Sequence, residues 1–228
     1  MMIDRGTALH ASKKIRLMQR GNILVLISLA ARLGNAILAL ILALNNPIAF
    51  YVRGGMGVVM ILLLLSGVAA TVGAIMYLVG LYEMGDIRPE YRNAFLLEIV
   101  LFIVGLLIKW IGTKVSFAQV LETARQIAML AVLWLVLQGT KYLLESLDQE
   151  EILQSGKFLW RLNIAATVLA GVYGLIPIPE EMAAVTIILL VIGVVLSILS
   201  LVAAVYYVIY LGKAANALEQ AGSSIEPI

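Results

Sequence analysis

Three ionisable side chains interrupt stretches of the sequence that are otherwise apolar. Arg32, Glu98 and Arg161 each lie inside such a stretch, and the amides Asn35 and Asn163 lie within one helical turn of the two arginines. A charged side chain at the bilayer centre costs about 2.5–3.5 kcal/mol on insertion scales, so it generally faces a partner, water or a substrate pathway. We therefore expect these five residues to form a polar cluster that binds a small anion or couples an ion to transport.

A structural role for the same charges is the alternative. Glu98 is the one acidic residue that lies well inside an apolar stretch, and it is the natural counter-charge for Arg32 or Arg161. In this interpretation Glu98 pairs with one arginine, and the other extends its long side chain to the lipid headgroups. Arg32 is the harder of the two to explain structurally, because a guanidinium stays protonated and lies here roughly halfway across its predicted helix.

The composition indicates which elements carry these residues. The chain has 228 residues, of which 62% are hydrophobic and 13% are charged, and its mean hydropathy is +1.02. Soluble domains have about 45–50% apolar and about 25% charged residues. The sequence is therefore typical of an integral membrane protein.

Six apolar stretches are long enough to cross a bilayer, which takes about 20 residues of α-helix. They are residues 23–44, 57–82, 94–112, 120–143, 158–177 and 183–211. We predict an all-α membrane protein with six transmembrane helices in one domain (23–212). A basic cytoplasmic tail (1–22) precedes the domain, and a cytoplasmic C-terminal tail (213–228) follows it.

Lysine and arginine predict the orientation, because they concentrate on the cytoplasmic side of membrane helices. They are frequent before helix one, in the second and fourth connections and after helix six, and sparse on the opposite side. Both termini are therefore expected in the cytoplasm. The absence of any Asn-X-Ser/Thr sequon fits the cell membrane of a prokaryote.

A weak internal repeat runs through the odd-numbered helices. Residues 19–22, 90–93 and 154–157 align without gaps, and each is followed by an apolar helix. A two-helix unit returns to the side on which it began, so this pattern predicts three parallel hairpins related by an axis along the membrane normal. The alternative is that any cytoplasmic helix start is polar and then apolar.

Small and aromatic residues predict further packing features. Small side chains recur every four residues in helices two and five, a spacing that lets another helix approach closely. These stripes are Ser66, Ala70, Ala74 and Ala166, Ala170, Gly174. Tyr206, Tyr207 and Tyr210 are expected in the aromatic belt at the membrane interface.

The sequence contains few of the residue patterns that enzymes use for catalysis. The single histidine, His10, lies in the predicted tail, and the chain has no cysteine. No histidine-based acid–base pair or thiolate metal site is therefore expected inside the protein, and no phosphate-binding loop is recognisable. We expect no catalysis, no cofactor and no metal, and the net charge of +2 argues against a nucleic-acid partner.

Two functions remain. The first is a non-catalytic accessory or scaffold subunit of a membrane complex, whose partners are the lipid bilayer, other membrane subunits or a second copy of the chain. The alternative is a small-solute or ion transporter or channel with its polar site near Arg32 and Glu98.

Overall fold

A computed structural model describes residues 4–45, 55–111, 116–174 and 183–224; several side chains within these ranges, including that of Arg32, lie outside the description. The described residues form six α-helices and no strand, which confirms the predicted all-α class. The helices are α1 (Arg5–Asn45), α2 (Gly55–Met84), α3 (Pro89–Ile111), α4 (Ser116–Glu145), α5 (Glu150–Gly174) and α6 (Ala183–Ser224).

Four of these helices contain segments that are long and apolar enough to cross a membrane. The segments are Met60–Met84, Pro89–Ile108, Val120–Glu145 and Val191–Ser223. Large apolar side chains on their outer faces, such as Leu64 and Phe102, are exposed. Such a surface is expected where lipid rather than water surrounds the protein, so the helices indicate a membrane protein.

The helices form a closed ring in chain order. Each helix packs against the next, and α6 returns to pack against α1. Tight turns join α2 to α3 and α4 to α5; in the second turn Asp148 has a φ of 55°, a left-handed conformation that Asp tolerates better than most residues. We call the end with these turns, the start of α1 and the finish of α6 the terminal end.

The first and last helices are much longer than a membrane requires. α1 has 41 residues and α6 has 42, so each extends for about 60 Å at 1.5 Å per residue. The hydrocarbon core is only about 30 Å thick. The segment predicted as an N-terminal tail is, from Arg5 onward, the beginning of α1, and α6 continues to Ser224 through most of the predicted C-terminal tail.

These extensions are helical because they pack against each other at the terminal end. Ala11, Ala214 and Ala215 are fully buried between them, and their small side chains allow the two helices to lie close. The Ser12 hydroxyl donates a hydrogen bond to the Ala215 carbonyl at 2.9 Å, and Arg16 pairs with Glu219. Packing against α6 thus stabilises the start of α1 as a helix, although its composition alone predicts a basic tail.

Asp4 caps the N-terminus of α1. Its carboxylate accepts hydrogen bonds from the Thr7 backbone N–H at 2.9 Å and from the Thr7 hydroxyl. An aspartate at this position satisfies a helix N–H that has no partner within the helix. The bond from the Thr7 hydroxyl, followed by that from the Thr7 backbone, lowers the pKa of Asp4.

The closest approach between helices joins α1 to α2. A Cβ atom built on Gly21 would lie 2.5 Å from the Gly73 carbonyl oxygen, and one built on Gly73 would lie 2.5 Å from the Gly21 carbonyl oxygen. Because each glycine faces backbone atoms, which cannot rotate away, no larger residue fits at this crossing.

A second fixed contact lies between α3 and α4. The Tyr91 ring is fully buried. A Cβ atom built on Gly139 would lie only 2.6 Å from the ring carbon Cε2 of Tyr91. The Tyr91 and Thr140 hydroxyls lie 2.6 Å apart, and Thr140 also donates to the Val136 carbonyl. A bulky ring is thus held against a glycine with its polar group satisfied.

We predict that Gly21→Ala destabilises the protein by about 1–3 kcal/mol, the usual cost of overpacking. Gly34→Ala on the same helix is the matched control, since no atom of the described residues lies within 4 Å of a Cβ at that position; there the loss of glycine is neutral or slightly stabilising. Unfolding of both variants in detergent measures the difference. Equal stability would contradict the close α1–α2 crossing.

We predict that Thr140→Val destabilises the protein more than Tyr91→Phe does. The valine leaves the buried Tyr91 hydroxyl without its partner, which costs about 1–3 kcal/mol. The phenylalanine removes one hydroxyl but leaves Thr140 bonded to Val136, so it lowers the stability by only about 0.5–1.5 kcal/mol. Unfolding curves under identical detergent conditions give the order, and the reverse order would exclude this bond as a buried partner.

A polar cavity at the centre of the helical ring

All six helices contribute lining residues to a central, partly open cavity of about 480 Å³. Packing is tightest on its terminal side: Ile15, Leu81, Leu144 and Leu211, from four different helices, are fully buried there. The cavity begins where this packed layer ends, at about the level of Asn22 on α1 and Tyr207 on α6. The layer therefore closes the cavity towards the terminal end.

Glu98 is the only charged side chain among the described lining residues. It lies on α3, nine residues after Pro89 begins that helix, and it is half-buried. Among the described residues no basic side chain forms an ion pair with it. Arg125 interacts with Glu98 electrostatically, but it is bound through two hydrogen bonds to Glu122 on its own helix.

Two asparagines line the cavity with a defined orientation. The Nδ2 groups of Asn22 and Asn163 donate to the carbonyl oxygens four residues earlier, Met18 and Leu159, each at 3.0 Å. A carbonyl can only accept, so the atom facing it must be the amide nitrogen. Each asparagine therefore keeps its own carbonyl oxygen and its second N–H to bind something else.

Two tyrosines contribute aromatic rings and hydroxyls from the two helices that flank α1. Tyr77 on α2 and Tyr207 on α6 both line the cavity; their hydroxyls lie 3.0 Å apart, and their rings meet edge to face with centroids 6.5 Å apart. Nearby, Ser200 donates its hydroxyl proton to the Leu196 carbonyl at 3.0 Å. Its oxygen, like those of the asparagines, remains able to accept.

The remaining walls are mostly apolar. Val25, Leu130 and Leu133 line the cavity together with several alanines. Ligand sites commonly combine a mainly apolar cavity of about 300–1,000 Å³ with a few placed polar groups that orient the ligand. The volume and lining of this cavity match that description.

The structure brings together two members of the predicted polar cluster, Glu98 and Asn163, which line the same cavity. Arg161 is exposed and is not among the lining residues, although it lies only two residues from Asn163. Asn35 is buried, and its Nδ2 has no hydrogen-bond partner among the described residues. It lies thirteen residues beyond Asn22, about 20 Å along α1, and is not part of the lining. The side chain of Arg32 lies outside the described residues.

Six polar lining residues were not among the predicted site residues: Asn22, Tyr77, Gln126, Thr167, Ser200 and Tyr207. Tyr207 was expected in the interfacial belt, yet it faces inward, whereas Tyr206 is exposed. A signal was present in α6, where Ser200, Ala203, Ala204 and Tyr207 follow helical spacing and form a small and polar face. Gln126 belongs to the polar first turns of α4, which begins at Ser116.

Nothing in the described part of the chain forms a metal centre. No group of three or more His, Asp or Glu side chains converges there. The cavity lining contributes a single carboxylate, whereas hard cations held by proteins take about six to eight oxygen ligands.

Comparison with known proteins adds no further assignment. No family model, no curated protein and no solved structure matches the chain.

We predict that Ala170→Leu, on the cavity wall, changes stability by less than about 1 kcal/mol, because the larger side chain enters existing space. Ala214→Leu is the control: Ala214 is fully buried between packed helices, so the same enlargement costs about 1–3 kcal/mol. Thermal unfolding in detergent compares them. A cost for Ala170→Leu as large as that for Ala214→Leu would mean that no such space exists in solution.

Proposed function

We propose that the protein is a small membrane transporter that binds its solute in the central cavity, with Glu98 as the principal binding group. The observation that carries this proposal is the convergence of all six helices on a cavity with one unpaired carboxylate among its described lining residues. An ionisable group at membrane depth is expensive unless function requires it. A bound solute supplies the missing partner.

Transport through such a site requires alternating access. The helices are continuous, so the proposal assigns the motion to rigid hairpins that rock around the cavity rather than to unwound helix segments. The packed layer at the terminal end represents a closed gate on that side. Separation of α1 from α6 there would open the cavity towards the termini.

The small-residue stripes support this proposal over the scaffold alternative. As docking sites for other subunits, the stripes would need to face outward. Gly73, next to the α2 stripe, contacts Gly21 of α1, and Ala74, Ala166 and Ala170 line the cavity. Because these residues serve the interior of the chain, they provide little reason to invoke another subunit.

The proposal includes six transmembrane helices arranged as three parallel hairpins. Two of the aligned repeat positions support it: Gly21 receives the backbone of α2, and Gly156 receives the ring of Tyr210 on α6. In the second hairpin Tyr91 and Gly139 make the corresponding contact with the roles of the two helices exchanged. A close contact near the terminal end thus recurs in each pair.

We place both termini in the cytoplasm of a prokaryotic cell. Basic residues concentrate at the terminal end, and several are held there by carboxylates of other helices, as in Lys14–Glu83 and Lys213–Glu151. This side carries the positive charge that retains a helix end in the cytoplasm. The proposal assigns no chemical step to the protein.

Reconstitution into liposomes tests the proposal. Stopped-flow light scattering would follow the entry of glycerol, choline chloride or sodium isethionate, a neutral, a cationic and an anionic probe, with valinomycin and potassium to balance charge. We expect faster entry of at least one probe than in protein-free vesicles, and loss of that entry in Glu98→Gln. Asp86→Asn, in the exposed α2–α3 turn, is the control and should retain it.

Two results would overturn the proposal. One is that no probe enters faster than in empty vesicles. The other is full flux in Ala170→Trp, a variant that fills the cavity with a large side chain, provided that its unfolding temperature in detergent shows it to be folded.

A further inference from the structure

The charge of the cavity defines which solutes it can hold. Its described lining has one carboxylate, Glu98, and no basic side chain. Among the described residues, the cation that acts on Glu98 electrostatically is Arg125, and it is held by two hydrogen bonds to Glu122. An anion would therefore meet a carboxylate with no lining cation to offset the repulsion, whereas a single positive charge would be complemented.

Several hydrogen-bonding groups of the lining can accept from such a charge. One N–H of Asn22, one N–H of Asn163 and the hydroxyl proton of Ser200 are donated to carbonyls of their own helices. Each of these three side chains keeps an oxygen atom that can accept, and each asparagine also keeps its second N–H. A ligand that donates several hydrogen bonds, as an ammonium group does with its three N–H bonds, fits this set.

The aromatic and apolar lining distinguishes an organic ligand from a bare ion. The rings of Tyr77 and Tyr207 line the cavity beside aliphatic walls, and the faces of aromatic rings attract organic cations. The volume of about 480 Å³ is far larger than one metal ion, and a single carboxylate falls short of the oxygen ligands that such ions take.

We infer that the solute is an organic cation with one positive charge, a primary or secondary ammonium that carries an apolar or aromatic substituent. The ammonium lies against Glu98 and the carbonyl oxygens of Asn22 and Asn163, and the substituent lies along the apolar wall and the tyrosine rings. This inference rests on the proposed function, whose cavity it uses, and it adds the class of substrate.

Binding to the full chain in detergent micelles tests the inference with three probes of similar size. They are 2-phenylethylammonium, the neutral 2-phenylethanol and the anion 3-phenylpropionate, each titrated by isothermal calorimetry. We expect the ammonium to bind at least tenfold more tightly than the other two. Glu98→Gln should weaken its binding at least tenfold, Glu98→Asp should retain part of it, and Asp86→Asn should leave it unchanged.

The outcomes separate the inference from the proposed function. Tighter binding of the alcohol or the carboxylate, lost in Ala170→Trp, would overturn the cationic substrate class and leave the cavity as the binding site. Ammonium binding that Glu98→Gln does not weaken would also overturn the inference. If none of the three probes binds while liposome flux of a neutral probe depends on the cavity, the inference fails and the proposed function stands.

Discussion

The fold depends on the antiparallel contact of α1 with both α2 and α6. Between helices in lipid there is little hydrophobic driving force, so association relies on close van der Waals packing by small residues. Gly21 meets Gly73 on one side of α1, and Ala11 is buried with Ala214 and Ala215 on the other. This double contact joins the first helix to the last and closes the ring, and a central cavity exists only because the ring is closed.

Closure also explains the polarity of the cavity. In a low-dielectric interior each polar hydrogen must find an acceptor, and the nearest acceptors for Asn22 and Asn163 are the carbonyls one turn earlier in their own helices. Helical side chains that bond back in this way use one N–H and keep their carbonyl oxygens. The cavity lining consequently offers acceptor oxygens in addition to the carboxylate of Glu98.

The interior of the helical ring is filled by different side chains at the terminal end and around the cavity. Near the terminal end the interior is filled by large side chains such as Tyr91, Met84 and Leu218, all fully buried. Around the cavity, alanines take their place. The ion pairs at the terminal end are at least partly exposed, and such pairs are worth about 0–1 kcal/mol. The packed layer, rather than the charges, therefore closes the cavity on that side. In the Lys213–Glu151 pair, the hydrogen bond from Lys213 lowers the pKa of Glu151.

Composition and hydropathy were sufficient to predict the all-α class and the number of helices, because each is a property of single apolar stretches. They also singled out Glu98 and Asn163, which line the same cavity. The helical extensions before Asn22 and after Leu211 were beyond such reasoning, since their polar sequence becomes helical core only by mutual packing. The same holds for the inward position of Tyr207 and the outward position of Arg161. Which face of a helix turns inward depends on the neighbours that surround it, and only the closed ring decides that.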